Sequence, residues 1–71
     1  MEQYEKLADA IILQAVSDYR KALRALWMNP RNKEALAYKE DCESFFRSDW
    51  FKELTDLDGE MLIRRLTAEA A

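Results

Sequence analysis

The chain has 71 residues, with 14 acidic and 11 basic side chains, no histidine and one cysteine. A length this small allows one domain, read here as a single helical domain over residues 1–71. One cysteine and no histidine exclude both a disulfide framework and a Cys/His zinc site within the chain. About half the residues are apolar (49%) and a third are charged (35%), a balance that favours a folded protein over a disordered one. A domain this small buries only ~60% of its unfolded surface, so apolar packing must supply its stability, with self-association as a further contributor.

The first segment reads as a helix from Glu2 to Met28. Tyr4, Leu7, Ala8, Ile11, Ala15, Tyr19, Ala22 and Leu26 recur at three- and four-residue steps and share one face. Glu2 and Lys6 are spaced for an ion pair. Glu2, Glu5, Lys6 and Asp9 break up the apolar run that a signal peptide needs, and no segment reaches the ~20 apolar residues of a membrane span. The lone Cys42 suits a reducing compartment, so a cytoplasmic location is expected. Asn29-Pro30 ends the first helix, because the residue before proline is pushed out of the α region. "NPRNKEAL" resembles the turn between tetratricopeptide units, but it occurs once and without a repeat.

A second helix is expected from about Asn32 to Arg47, capped by Asn32 or Asn29. Its apolar members are Ala35, Leu36, Tyr38, Cys42, Phe45 and Phe46, and Glu43 is spaced to pair with Arg47. Cys42 then faces inward as an inert thiol. Ser48 caps a short third helix, Asp49 to Leu54. A fourth helix from Asp56 to Ala68 puts Leu57, Met61, Leu62 and Leu66 on one side. The fold class is therefore all-α, a compact bundle of three main helices and one short one.

"TDLDGE", residues Thr55 to Glu60, resembles part of a calcium loop. With Gly59 at position 6 of an EF-hand loop, Asp58 and Asp56 fall on ligand positions 5 and 3. Position 1 is then Leu54 and position 12 is Arg65, so the strongest ligands are missing and no metal is expected. A helix start explains the stretch more simply. Thr55 would cap it with Asp58 in the capping-box position, the acids would favour the positive end of the helix dipole, and Glu60 would pair with Arg64. Asp56 and Asp58 also qualify as an acidic patch for a partner. No histidine is available as a base for Cys42 or for Ser17, Ser44 and Ser48, and no glycine-rich phosphate loop exists. Neither catalysis nor a cofactor is expected.

Charge is sorted along the chain. From Asp18 to Lys39, Arg20, Lys21, Arg24, Arg31, Lys33 and Lys39 outweigh Asp18 and Glu34. From Glu40 to Glu60 the acids dominate. The basic end of helix one, with Trp27 among the cations, could serve a nucleic-acid-associated regulator, but the acidic half repels phosphates and the pI of about 4.9 is low for such a domain. The acidic half could instead imitate nucleic acid, an idea weakened by the basic half.

Helix one also carries a second apolar line, Leu13, Val16, Leu23 and Trp27, interleaved with Arg20. Two readings stay open: a central helix that packs on two sides, or a contact stripe for another copy or another protein. "FFRSDWF", Phe45 to Phe51, supplies core aromatics, with Trp50 expected to stay partly exposed beside the acidic patch. The candidate contact residues are thus Leu13, Val16, Arg20, Trp27, Trp50, Asp56 and Asp58.

"DCESFFRSDWFKELTDLDGEMLIRRL", together with "SDYRKAL", resembles short proteins encoded in prophages and mobile elements of Gram-positive bacteria. The resemblance implies a bacterial cytoplasm and an action by binding a host or phage protein. Such proteins block a defence enzyme such as a CRISPR nuclease, sequester a ligand, or regulate a phage process. It carries no catalytic residue with it.

Overall fold

The computed structural model describes residues 2–70, with side chains from Lys6 to Ala70. Among the described residues there are four helices and no strand: α1 (Glu2–Met28), α2 (Lys33–Phe46), α3 (Asp49–Leu54) and α4 (Gly59–Ala70). The 27 residues of α1 span about 40 Å at 1.5 Å each. The molecule measures 42 × 19 × 19 Å, so α1 is its spine and the shorter helices lie along it.

α2 returns antiparallel to α1. Its start brings Ala35 beside Ala22 and Ala25, and its end brings Cys42 and Phe45 beside Ile11 and Ala15. α4 then runs parallel to α1. Gly59 lies against the end of α2 at Phe46, while Glu69 reaches Arg20 and Ala70 lies beside Arg24. No helix among the described residues is long and apolar enough to cross a membrane.

The core joins all four helices: Ile12, Tyr19 and Leu23 from α1, Cys42 and Phe46 from α2, Phe51 from α3, Ile63 and Leu66 from α4. Four aromatic rings form its densest part. Phe46 meets Tyr19 edge-on at 5.7 Å between centroids and Phe51 at 5.6 Å, and Phe45 meets Phe51 at 5.5 Å. These edge-to-face distances are favourable for aromatic pairs.

Polar side chains set the helix boundaries. Asn32 Oδ1 accepts the Ala35 amide at 3.0 Å and caps α2. Ser48 Oγ accepts the Phe51 amide at 3.1 Å and donates to the Phe45 carbonyl at 2.6 Å, so one hydroxyl both ends α2 and starts α3. α4 begins at Gly59, three residues later than the acidic pattern suggests. Its cap is Asp58, whose Oδ1 accepts the Glu60 and Met61 amides at 3.0 and 3.4 Å. Thr55 instead holds the preceding turn, accepting the Leu57 amide at 3.2 Å.

That later start corrects the inner face of α4. Leu57 precedes the helix and is exposed, and Met61 lies about 140° around the wheel from buried Leu66 and is exposed too. Ile63 takes the inner position instead. On α1, Leu7 is exposed, about 120° from Tyr19, while Leu23 of the second line is buried, as is Ile12, which belongs to neither expected line. Tyr4 lies outside the described side chains, as does the Glu2 half of its expected pair. On α2, Leu36 and Tyr38 are exposed rather than inward.

Two expected ion pairs are exchanged for others. Glu43 turns inward and accepts from Lys39 Nζ at 2.8 Å and from the Tyr19 hydroxyl at 2.7 Å. Arg47, which sits at the end of α2, pairs across the turn with Glu60, so neither Glu43–Arg47 nor Glu60–Arg64 forms. Arg47–Glu60 links α2 to α4, whereas Glu43 keeps a same-helix partner, Lys39 one turn earlier, and gains Tyr19 of α1.

Candidate interaction surface

The second apolar line of α1 divides between core and surface. Leu23 is buried and Val16 packs against the core, so this part of the line serves helix packing. Leu13 and Trp27 are 66% and 73% exposed. They stand fourteen residues apart, about 21 Å along the helix. Arg20 lies between them and holds Glu69 of α4 at 3.0 Å. The line is therefore split, with Leu23 and Val16 in helix packing and Leu13 and Trp27 exposed, and the exposed residues do not form one unbroken stripe.

The other candidates are scattered. Trp50 is 54% exposed at the start of α3 and rests edge-on against Phe45, 5.4 Å between centroids. Asp58 is occupied as the cap of α4, and Asp56 is exposed in the turn before it. Among the described residues no group of three or more acidic or cysteine side chains could hold a metal ion. Of the cations at the end of α1, Arg20 is ion-paired, while Lys21 and Arg24 are exposed.

A concave groove lies between α1 and α2. It lies on the flank of α1 away from the Arg20–Glu69 pair, since Asp18 and Arg20 are about 160° apart on the wheel. One section, about 460 Å³, is lined by Ala22, Ala25 and Ala35 with Asp18, Lys21 and Tyr38. The adjoining section, about 280 Å³, shares Asp18 and Tyr38 and adds Ile11, Ala15, Asp41 and Phe45, with Trp50 closing its end. Small residues make the floor because alanines let α1 and α2 approach closely. Tyr38 stands over it, 63% exposed.

The groove is acidic. Asp18, Glu34 and Asp41 line it and form no ion pair among the described residues, and Lys21 is the one cation on its walls. Gln14 donates to Asp18 at 2.9 Å, which holds that carboxylate at the rim. Cys42 reports the local field: burial pushes its thiol up first, and the charges of Asp18, Asp41 and Glu43 push it further. Beneath the surface, burial alone would raise the Glu43 carboxyl, but hydrogen bonds from Lys39 and Tyr19 outweigh burial and hold it below the usual range.

The sequence pattern pointed to Trp50 and to exposed residues on α1. It missed the pairing of Asp18 with Asp41, which lie 23 positions apart and meet only because α2 folds back. The available signal was the run of alanines at 15, 22 and 25 on α1 with Ala35 on α2, a mark of close helix approach.

No protein-family model matches the chain, and no significant match was found among curated proteins or among solved structures.

Proposed function

We propose that this chain is a small interaction protein that acts by stoichiometric binding to a larger host or phage protein, with inhibition of a defence enzyme as one outcome of that binding. The observation that carries the reading is the exposure of both tryptophans. Trp27 and Trp50 are more than half exposed while Tyr19, Phe46 and Phe51 fill the core. A tryptophan buries 150–250 Å² when it finds a partner, so leaving two of them in water forgoes several kcal/mol on the order of 25 cal/mol per Å². Tryptophan is also the residue type that most often anchors a protein interface.

Capture from a bacterial lysate, followed by purification of the captured protein and titration with this chain, tests the reading. A fixed stoichiometry is expected. Trp27→Ala and Leu13→Glu should keep the helical spectrum and the melting temperature, since both side chains lie outside the core, and should weaken capture. A truncated interface anchor costs about 2–4 kcal/mol of binding. DNA binding that falls steeply with salt, with no protein complex, would instead favour a nucleic-acid regulator using Lys21, Arg24, Arg31 and Lys33.

A further inference from the structure

We propose that the α1–α2 groove is a docking site for a cationic amphipathic helix of a partner protein. This rests on the interaction reading above and assigns it a surface and a partner chemistry. The groove runs along α1 from Ile11 to Ala25, about 21 Å, which matches four turns of helix. Its floor of Ala15, Ala22, Ala25 and Ala35 presents no bulk, so a third helix can approach at the 8–10 Å spacing of packed helices.

Charge selects the occupant. Asp18 of α1 and Asp41 of α2 line the same section, neither forms an ion pair among the described residues, and Glu34 adds a third carboxylate. A lysine or arginine at each flank of an incoming helix would find a carboxylate on both walls. Tyr38, exposed between the two sections, offers its ring face to such a cation. Lys21 gives the groove a direction, since a cation placed beside it would be repelled. Trp50 at the other end is an apolar stop.

A second copy of the chain fits less well. Two grooves laid face to face would bring Asp18 and Asp41 of each chain against the other's. One narrow helix with lysines at its flanks meets the same carboxylates without that repulsion.

The test uses the full chain and two synthetic 16-residue helical peptides. One carries a leucine–alanine stripe flanked by lysines, and the other has glutamate at every lysine. Amide NMR shifts locate the site, titration gives affinity, and sedimentation gives oligomeric state. The lysine peptide should bind with shifts confined to the groove, from Ile11 to Ala25, from Asn32 to Phe45 and at Trp50. The glutamate peptide, and the lysine peptide against Asp18→Asn/Asp41→Asn, should bind at least tenfold more weakly. Equal binding of the two peptides, shifts elsewhere on the chain, or no binding of the lysine peptide would each overturn the proposal. So would self-association that shifts the same residues, which would make a second copy the occupant. Partner capture and its loss in Trp27→Ala decide the broader reading separately, so a groove that fails this test leaves that reading standing.

Discussion

Tyr19→Phe isolates the one polar link inside the core. Tyr19 is 0% exposed, its ring stacks edge-on to Phe46, and its hydroxyl donates to Glu43 at 2.7 Å. Phenylalanine keeps the ring and removes that hydrogen bond together with the longer 3.5 Å contact of the hydroxyl with Thr67 Oγ1. A bond to a charged acceptor is worth about 1.5–3 kcal/mol. Glu43 keeps Lys39 and some contact with water, which places the expected loss near the lower end, about 1.5 kcal/mol. For a domain of this size, each kcal/mol moves the melting temperature by about 4–8 °C, so a fall of roughly 6–12 °C is expected. The difference should also depend on pH. Burial first, and then Glu43, push the Tyr19 hydroxyl up to about 12 from its ordinary value of 10.0. The folded state therefore holds this proton longer than the unfolded chain does. The stability so gained is complete below pH 10 and is lost as pH rises toward 12. Denaturant unfolding of both proteins across this range measures it. The gap between wild type and Tyr19→Phe should narrow above pH 10. A variant as stable as wild type at neutral pH, or a gap that stays constant into alkali, would refute the reasoning.

Gly59→Ala should destabilise, although alanine is the better helix former by up to ~1 kcal/mol. A Cβ at this position would collide with the Phe46 carbonyl, which is backbone and cannot rotate away. A net loss on the order of 1–3 kcal/mol in denaturant unfolding is expected, and a gain would place α4 farther from α2. Asp58→Ala should cost about 1 kcal/mol of stability and Thr55→Ala distinctly less, because Asp58 caps α4. The reverse order would restore Thr55 as the cap. Native Cys42 should react slowly with a thiol reagent at neutral pH and quickly once unfolded, since burial and neighbouring carboxylates keep it protonated. Equal rates in the two states would put Cys42 on the surface.

The helices were legible because their signals are local. Asn32 and Ser48 as caps, Asn29-Pro30 as a stop and the steps through Ala8, Ala15 and Tyr19 each act within a turn or two of chain. The α4 boundary was misjudged because Thr55 and Asp58 are both good caps, and only the packing of Gly59 on Phe46 chooses between them. Leu57 falls off the expected face of α4 because it precedes the helix, and Met61 because it lies about 140° from Leu66, whose side Ile63 shares. Tyr19 as a partner of Glu43 was out of reach, since spacing along one helix says nothing of a tyrosine 24 residues earlier on another. The groove was hidden likewise. Asp18 was counted among the basic half and Asp41 among the acidic half, yet folding α2 back sets them on one surface.

The most direct measurement is sedimentation of this chain with the protein it captures, for wild type, Trp27→Ala and Trp50→Ala. A discrete complex of fixed ratio is predicted for wild type, and it should be lost or weakened at least tenfold when a tryptophan is removed, with helicity unchanged. A complex indifferent to both tryptophans, or no discrete protein complex at all, would contradict an action by protein contact through these exposed anchors.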